Sequence, residues 1–391
     1  MKRFSAQYII TNSGSPLKRA IISTEDDGTI VSIEDTHGDL KEKHSVEFHN
    51  GIIIPGFVNS HCHLELSHMK ESISRDSGLV NFIDQVRNTR ASDNESIIGA
   101  AESADRDMFA SGVNLCADIC NTPFTFNLKK ESRISYINLL EVFGINPGKA
   151  DRRIAEVVKL SETAGDMDLP FSIVPHSVYS LSLPLFRLLR EINNGNSVTS
   201  IHFMETPGEA DLVENHSGPL MNSYIQSGLI SSGIETAKSH SDAVLNEITT
   251  NGNLMLVHNT FADRETIRKV ITRGKTYFCL CPKSNLYIEN SIPPADLLIQ
   301  EGCDIIIGTD SLASNNNLDI LEELKTLQVH FPSISIEELV SWATINGAKA
   351  LGMEELFGKI ETGKKPGLLL LQNVDLQNMK LLPESFVTRL L

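Results

Sequence analysis

Two histidines separated by one residue, His61 and His63, follow an apolar run at residues 52–54. In a β-strand, residues i and i+2 project to the same face, so a strand here would direct both imidazoles at one point. Two neutral imidazoles that converge in this way form half of the coordination shell of a zinc-type metal ion. Because the chain has 12 histidines, such a pair arises by chance in roughly one chain in three. The pair gains weight only if other ligands lie beside it.

The elements that would position such ligands are strands that alternate with helical segments from residue 52 onward. Helix-type periodicity appears in the segments between the strands, for example at 95–110 and 263–273. Eight strands with intervening helices are typical of a (β/α)8 TIM barrel, which is the α/β fold that we predict. The eight predicted strands end within the ranges 56–63, 113–118, 134–140, 171–176, 200–205, 254–258, 277–281 and 304–310.

Residues that bind metals or transfer protons recur at the ends of these strands. The fourth strand ends at His176, the fifth carries His202, the sixth ends at His258 and the eighth ends at Asp310. Glu205 lies just beyond the fifth strand. All strands of a barrel are parallel, so their C-terminal ends meet at one face, where active sites form. The sequence therefore predicts a single site that contains these side chains together with His61 and His63.

The chemistry of the donors suggests a role for each residue. His61, His63, His202 and Asp310 form a natural ligand set for one divalent metal ion with a position left for water. We expect zinc, with iron or manganese as alternatives. Such an ion lowers the pKa of its water and generates hydroxide as the nucleophile. Glu205 is placed to shuttle the proton, and His258 to orient the nucleophile or polarise the group under attack.

Two more roles complete this catalytic set. Asp310 is predicted to accept a hydrogen bond from the attacking water in addition to binding the metal. His176 is predicted to face the substrate from the fourth strand. Residues 282–285, at the end of the seventh strand, are one candidate for the pocket wall, although a cap of the next element is the preferred role for Asn285.

Five motifs in this order resemble those of the amidohydrolase superfamily over nearly the whole chain. They are Gly-Phe-Val-Asn-Ser-His-Cys-His, Pro-His-Ser-Val-Tyr-Ser, His-Phe-Met-Glu-Thr, Val-His-Asn and Gly-Thr-Asp-Ser. The resemblance implies a (β/α)8 barrel with a small β-sandwich domain, and metal-assisted hydrolysis at the barrel mouth. Later, the motif at 358–364 also fits, although Gly367-Leu368 replaces the Ala-Asp that usually follows it.

The end of the fourth strand indicates the branch of the superfamily. Members with two metals usually carry a bridging lysine there, whereas this chain has Val174-Pro175-His176. The resemblance therefore points to the mononuclear aminohydrolases, such as guanine, S-adenosylhomocysteine and aminodeoxyfutalosine deaminases. Residues 63–67, His-Leu-Glu-Leu-Ser, most resemble the aminodeoxyfutalosine group. Glu65 is predicted to bind a ribose hydroxyl or an amine, with a structural salt bridge as an equal alternative, and Ser311 is also assigned to the substrate.

Two domains are expected. Residues 1–54 and 355–391 would form a composite β-sandwich domain, because short strands with turns fill the first segment and a strand-like run returns after residue 367. Residues 55–354 would form the catalytic barrel. The long segment 207–252 is predicted to carry one or two short helices and to cover the strand ends as a lid or a wall.

The composition indicates which classes of partner and which compartment to expect. A formal net charge of −16 argues against binding nucleic-acid polymers, which requires basic patches. No apolar run reaches the roughly 18 residues that a membrane-spanning helix needs. The first residues lack the apolar core of a secretory signal, and free buried thiols explain the six cysteines better than disulfides do, so a cytoplasmic protein is expected. Superfamily precedent favours a homodimer.

The leading functional hypothesis is a metal-dependent deaminase. It would use a metal-bound hydroxide to replace an exocyclic amine on a purine-like or other aromatic N-heterocycle, in a base, nucleoside or derivative, and release ammonia. Alternatives with the same metal site are hydrolysis of a cyclic amide, as in imidazolonepropionase-like enzymes, or of a carbon–halogen bond, as in chlorohydrolase-like enzymes. A third alternative, a barrel used only as a scaffold, would need none of the ligands or the proton shuttle.

Overall fold

The computed structural model describes residues 1–391 except 42, 44, 194, 232, 233, 249 and 250. Within the described residues, the strands are, in chain order, β1 (Lys2–Ile9), β2 (Leu17–Lys18), β3 (Ile21–Thr24), β4 (Ile30–Glu34), β5 (Glu47–Pro55), β6 (Phe57–Cys62), β7 (Val113–Cys120), β8 (Ser135–Val142), β9 (Phe171–Pro175), β10 (Val198–Phe203), β11 (Asn253–His258), β12 (Thr276–Leu280), β13 (Asp304–Ile307), β14 (Leu368–Asp375) and β15 (Lys380–Arg389).

Helices separate the strands from β6 onward. Short 3-10 segments occur at Leu64–Met69 and Pro147–Lys149, and π-helical segments at Ala243–Glu247 and Trp342–Asn346. The α-helices are α1 (Gly78–Thr89), α2 (Asn94–Ala110), α3 (Phe126–Glu131), α4 (Ala150–Asp166), α5 (Leu183–Ile192), α6 (Gly208–Asn215), α7 (Gly218–Gln226), α8 (His240–Asp242), α9 (Arg264–Ile271), α10 (Pro282–Glu289), α11 (Ala295–Gln300), α12 (Ile320–His330), α13 (Ile336–Ser341) and α14 (Gly347–Ala350).

The eight central strands form a TIM-barrel-like α/β core. They pair in two four-stranded parallel sheets, β6–β9 and β10–β13. The two sheets meet at both edges through single parallel bridges, Ser177 with His202 and Cys62 with Asp310. At these seams the N–H of His202 donates to the carbonyl oxygen of His176 at 2.8 Å, and the N–H of Asp310 donates to that of His61 at 3.1 Å. Both seams therefore carry predicted site residues.

Side chains alternate between two apolar layers along the central strands. In β11, Met255 and Val257 join one buried cluster, whereas Leu254 and Leu256 join a second, larger one. This period of two is the β-strand repeat, and strands covered on both faces are apolar throughout. The alternation explains why these strands read in the sequence as almost continuous hydrophobic runs.

The two ends of the chain form one mixed sheet. Its order is β15-β14-β5-β1-β3-β4, with β2 paired to β1. β14 pairs antiparallel to β5 with Leu368 opposite Pro55 and Leu371 opposite Ile52, so the C-terminal segment returns to the N-terminal one as expected. A β-sandwich contains two packed sheets, whereas the described terminal strands pair in a single seven-stranded sheet. In this respect the structure differs from the expectation. One of its apolar faces contains Phe4, Ile22 and Ile53.

The long segment after β10 carries more helix than the sequence predicts. It contains α6, α7 and α8 followed by the π-helical segment, while residues 232, 233, 249 and 250 lie outside the described part. Tyr224 and Leu229 from this segment line the cavity at the strand ends. In the described part of the chain, none of the helices combines the length and apolar character required to span a membrane.

Candidate active site

His61 and His63 converge as their spacing predicts. They lie at the C-terminal end of β6, and their Nε2 atoms are 3.1 Å apart. His61 is fully buried and His63 is partly buried. Two ring nitrogens at this distance bring their lone pairs to one point, which is the arrangement of ligands around a shared cation.

The orientation of His202 is fixed by the neighbouring strand. Its Nδ1–H donates to the backbone carbonyl oxygen of His176 at 2.8 Å. The neutral ring therefore keeps its lone pair on Nε2, and this outer hydrogen bond fixes the tautomer of a metal-binding histidine. Its ring centroid lies 4.9 Å from that of His61 and 5.6 Å from that of His63.

Asp310 contributes the carboxylate. Its Oδ2 accepts hydrogen bonds from the hydroxyls of Ser284 and Ser314, each at 2.6 Å. Its Oδ1 lies 3.4 Å from Nε2 of His63 and 3.8 Å from Nε2 of His61. The two serines hold the carboxylate so that one oxygen remains directed at the histidines.

These donors fit a single divalent ion. One ring nitrogen from each of His61, His63 and His202 lies within 4.8 Å of the other two, and three imidazoles with one carboxylate are a typical donor set of a hydrolytic zinc site. In a second group, Glu141, His176 and His202 also bring one donor atom each within 4.8 Å of the others. That group is the weaker candidate because Nδ1 of His202, which lies 3.8 Å from Glu141, already donates to a carbonyl oxygen.

Burial keeps the site histidines neutral. It lowers the pKa of His63 and of His258 to about 3 and that of His176 to about 4. The pKa values of His61 and His202 are also lowered, first by burial and then by neighbouring imidazoles. Neutral imidazole is the form that binds metal, so the site is prepared for an ion at neutral pH.

The same burial predicts a stability change with pH in the metal-free protein. Histidines in the unfolded chain have a pKa near 6.5, whereas those in the folded site have values of about 3 to 4. The unfolded state therefore takes up protons first, and the free energy of unfolding falls as the pH drops below about 6.5. Between pH 7 and pH 5 the loss is about 2 kcal/mol per histidine. Urea unfolding of chelator-treated protein at both pH values measures this loss, and equal stability at the two values would contradict it.

Glu205 lies beside the metal-binding residues, just beyond β10. Its Oε2 accepts a hydrogen bond from the hydroxyl of Tyr179 at 3.1 Å, and its Oε1 lies 3.5 Å from Nε2 of His258. Burial, and then the nearby carboxylate of Glu209, raise the pKa of Glu205 well above its ordinary value. A buried carboxyl group whose pKa is raised is suited to exchange a proton with a bound substrate.

His258 is oriented from the opposite side of its ring. The amide of Asn285, in α10, donates from Nδ2 to Nδ1 of His258 at 3.0 Å. The ring proton then lies on Nε2, on the side of Glu205. The prediction that Asn285 caps a helix was wrong, because it lies inside α10 and its side chain holds the histidine instead.

The backbone bends at the same strand ends. Met204, His258, Asn259 and Asp310 have φ angles of 49°, 76°, 56° and 58°. Non-glycine residues rarely adopt positive φ, and such residues cluster at functional sites. At His258 the bend interrupts the strand alternation and directs the ring at the site.

A cavity of about 410 Å³ opens above these residues. His176 and Ser311 line it, as expected for residues that face a substrate. Glu65 does not line it among the described residues: its Oε1 accepts the N–H of Thr122 at 3.0 Å and its Oε2 accepts that of Asn121 at 3.3 Å. Oε2 of Glu65 also lies 3.7 Å from the guanidinium of Arg90, so these contacts favour the structural salt bridge over substrate binding.

A buried ion pair lies behind His63. The Nζ of Lys129 contacts Oδ2 of Asp118, and both side chains are fully buried. The other oxygen of Asp118 accepts the N–H of Leu64, the residue after His63, at 2.7 Å. Although burial alone would lower the pKa of Lys129, the carboxylate of Asp118 holds it above its ordinary value. The pair thereby fixes the backbone from which His63 projects.

Removing this lysine should destabilise the fold. In Lys129→Met the carboxylate of Asp118 stays buried without its counter-charge, which costs about 3–5 kcal/mol. Chemical denaturation measures the change. Lys130→Met is the matched control, because Lys130 is exposed on the same helix, and we expect a change within about 0.5 kcal/mol. Equal unfolding free energies for the two variants would contradict the role of the pair.

Three residues near the catalytic group were not predicted from the sequence. Tyr179 contacts Glu205, Glu141 faces His202, and Glu209 accepts hydrogen bonds from the backbone of Glu205 and Thr206. Tyr179 lies in the second of the five motifs, and Glu209 follows Glu205 by four residues. Both positions are visible in the sequence, but neither one by itself identifies a contact.

Comparison with known proteins adds family evidence. Residues 52–387 match the model of the Amidohydrolase family. An adenosine deaminase of Helicobacter pylori is 28% identical over 328 residues, which cover 82% of this chain and 79% of that protein. The crystal structure of Helicobacter pylori aminofutalosine deaminase with methylthio-coformycin superposes with a TM-score of 0.79 at 24% identity, covering 96% of this chain and 93% of the other. A zinc-bound adenosine deaminase of Xanthomonas campestris has a TM-score of 0.68 at 20% identity, covering 94% and 84%.

Proposed function

Because the chain belongs to the amidohydrolase family, we propose that it is a metal-dependent hydrolase of carbon–nitrogen bonds that deaminates purine nucleosides. The reaction converts the exocyclic amine and one water into a ring carbonyl and ammonia. The carboxyl group of Glu205, which accepts a hydrogen bond from Tyr179 beside the converging histidines, carries this proposal, since a departing amine must receive a proton. The deaminase names of its relatives supply independent support.

His61, His63, His202 and Asp310 would hold the metal ion, for which zinc is proposed because a structural neighbour binds it. When bound, zinc would supply Lewis-acid chemistry that lowers the pKa of a water molecule. The two serines on Oδ2 of Asp310 prevent rotation of that carboxylate. The hydrogen bond from His202 to the His176 carbonyl performs the same function for the imidazole.

Side chains of the protein are proposed to transfer the protons of this reaction. Glu205 is proposed to give its carboxyl proton to a ring nitrogen of the purine, to take one proton of the attacking water and deliver it to the amine that leaves, and to recover the second proton of that water when the ring carbonyl forms. Tyr179 keeps its own proton, because burial and, once Glu205 has given up its proton, the Glu205 carboxylate raise the pKa of its phenol, so it continues to donate to Oε2. His258, with its Nε2–H on the same side, is placed to donate to the oxygen that replaces the amine.

The cavity supports a nucleoside with an extended substituent. Much of its lining is apolar and includes Leu79, Phe82, Ile83, Val86, Phe143, Ile145 and Leu229. A free purine base needs little of this surface, whereas an apolar group attached to the ribose would bury it. We therefore propose adenosine derivatives with apolar 5′ substituents as better substrates than adenine.

A substrate panel tests this function. Zinc-loaded protein would be incubated with adenosine, 5′-methylthioadenosine, aminofutalosine, adenine and guanine, and ammonia would be measured. We expect release from the nucleosides and a higher kcat/KM for those with a 5′ substituent. A cyclic imidazolone and a chlorotriazine in the same panel represent the alternative reactions. Turnover of either one without ammonia release from any nucleoside would overturn the proposal.

The architecture proposed for this function has two domains. Residues 1–54 and 355–391 would form the terminal β-domain, whose single seven-stranded sheet would fold over on itself as the predicted sandwich, and residues 55–354 would form a closed (β/α)8 catalytic barrel. We propose a cytoplasmic enzyme, which agrees with six free cysteines among the described residues. A homodimer is proposed from superfamily precedent alone.

A further inference from the structure

Glu205 is held by a second acidic residue that does not face the substrate. Oε1 of Glu209, at the start of α6, accepts the backbone N–H of Glu205 at 2.5 Å and that of Thr206 at 3.1 Å. The side chain of Glu209 is fully buried. Both peptide groups lie in the short connection between β10 and α6, and they determine where the Glu205 side chain starts.

The other oxygen of Glu209 reaches a distant part of the chain. Oε2 lies 3.0 Å from Nε2 of His240, and 31 residues separate the two in sequence. His240 is also buried, and its ring packs edge-on against Phe203, the last residue of β10, with centroids 5.6 Å apart. Neither Glu209 nor His240 is among the described residues that line the cavity.

A simple helix cap does not account for this arrangement. A capping carboxylate at the start of α6 needs only the adjacent N–H groups and is normally solvated. In Glu209, Oε1 accepts two N–H groups, and Oε2 is paired with the imidazole of His240, which lies 31 residues further along the chain. All of these groups are buried. A buried carboxylate is costly unless it is fully paired, so His240 completes a contact that serves Glu205.

We propose that Glu209 and His240 act as positioning residues that hold the backbone of Glu205, so that its carboxyl group stays beside Tyr179 and His258. The effect on rate rests on the proposed function, whereas the claim that Glu209 holds the backbone of Glu205 does not depend on it. Release of the Glu209 contact would let the connection at 204–207 move, and a displacement of about 1 Å in a catalytic group lowers rates about 10²-fold.

The test compares zinc-loaded variants in steady-state ammonia release and in hydrogen–deuterium exchange over residues 203–209. Glu209→Ala is expected to lower kcat about 10²-fold, to change KM and zinc content little, and to speed exchange at the amides of Glu205 and Thr206. Glu209→Gln keeps an acceptor oxygen and is expected to recover most of the rate. His240→Ala is expected to lower kcat about tenfold, because the outer hydrogen bond alone is lost.

Glu214→Ala is the matched control, since Glu214 is exposed on the same helix, and its kcat and exchange should equal those of the wild type. A Glu209→Ala enzyme with kcat within threefold of wild type, or with unchanged exchange, would overturn the inference. If that variant does not fold, His240→Ala decides by the same two readouts. Should the wild type release no ammonia, the proposed function fails, and the exchange measurement still decides whether Glu209 holds these amides.

Discussion

Replacement of Glu205 by glutamine is expected to lower the rate of ammonia release by about 10³-fold, the middle of the range for loss of a general acid–base group. Glutamine has nearly the same shape and can still contact Tyr179, but it cannot give or take the proton. Glu205 is not among the proposed metal-binding residues, so zinc content should stay at the wild-type level. Steady-state ammonia assays and metal analysis of the same protein sample measure both quantities.

Glu214→Gln is the control for this substitution, because it makes the same chemical change at an exposed position and should leave the rate unchanged. A Glu205→Gln enzyme with near-normal turnover would contradict the role of Glu205 as the proton shuttle. Loss of zinc together with activity would instead mean that the carboxylate helps to hold the metal.

Removal of a metal-binding histidine is expected to weaken metal binding strongly. His63→Asn removes one of the imidazoles that meet at 3.1 Å, and we expect zinc to bind at least about 10²-fold more weakly, since even residues that only orient a ligand contribute 10- to 100-fold. Thermal unfolding with and without added zinc reports this affinity, because an ion that binds only the folded state raises the melting temperature.

The wild type should gain stability on addition of zinc, and His63→Asn should gain much less at the same zinc concentration. His330→Asn is the control, because His330 is exposed at the end of α12 and should respond like the wild type. An equal zinc-dependent stabilisation of His63→Asn would contradict the proposed ligand set.

The fold and the central side chains follow closely from the sequence for a physical reason. Strands of a parallel core are buried on both faces and read as apolar runs, and their C-terminal ends come to one face whatever the loops do. His61, His202 and His258 each follow such a run, so their convergence is predictable without coordinates. The expectation that His176 faces the cavity follows from the same geometry.

The residues that hold these side chains were not predictable in this way. Asn285 and Glu209 lie after strand ends, where the chain bends, and His240 comes from a segment without a regular repeat. Their contacts depend on how loops pack in three dimensions, and a single sequence contains no periodicity that encodes this packing. The terminal strands illustrate the same limit, since alternating patterns predict strands but do not decide whether they pair in one sheet or two.

The central claim is that this protein replaces a purine amine with oxygen from water. The most direct measurement is mass spectrometry of the product formed from 5′-methylthioadenosine by the zinc-loaded protein in ¹⁸O-labelled water, with ammonia measured in the same reaction. The account predicts a 6-oxopurine nucleoside that carries one ¹⁸O atom and an equimolar amount of ammonia. Unchanged substrate, or a product that retains its amine, would contradict it.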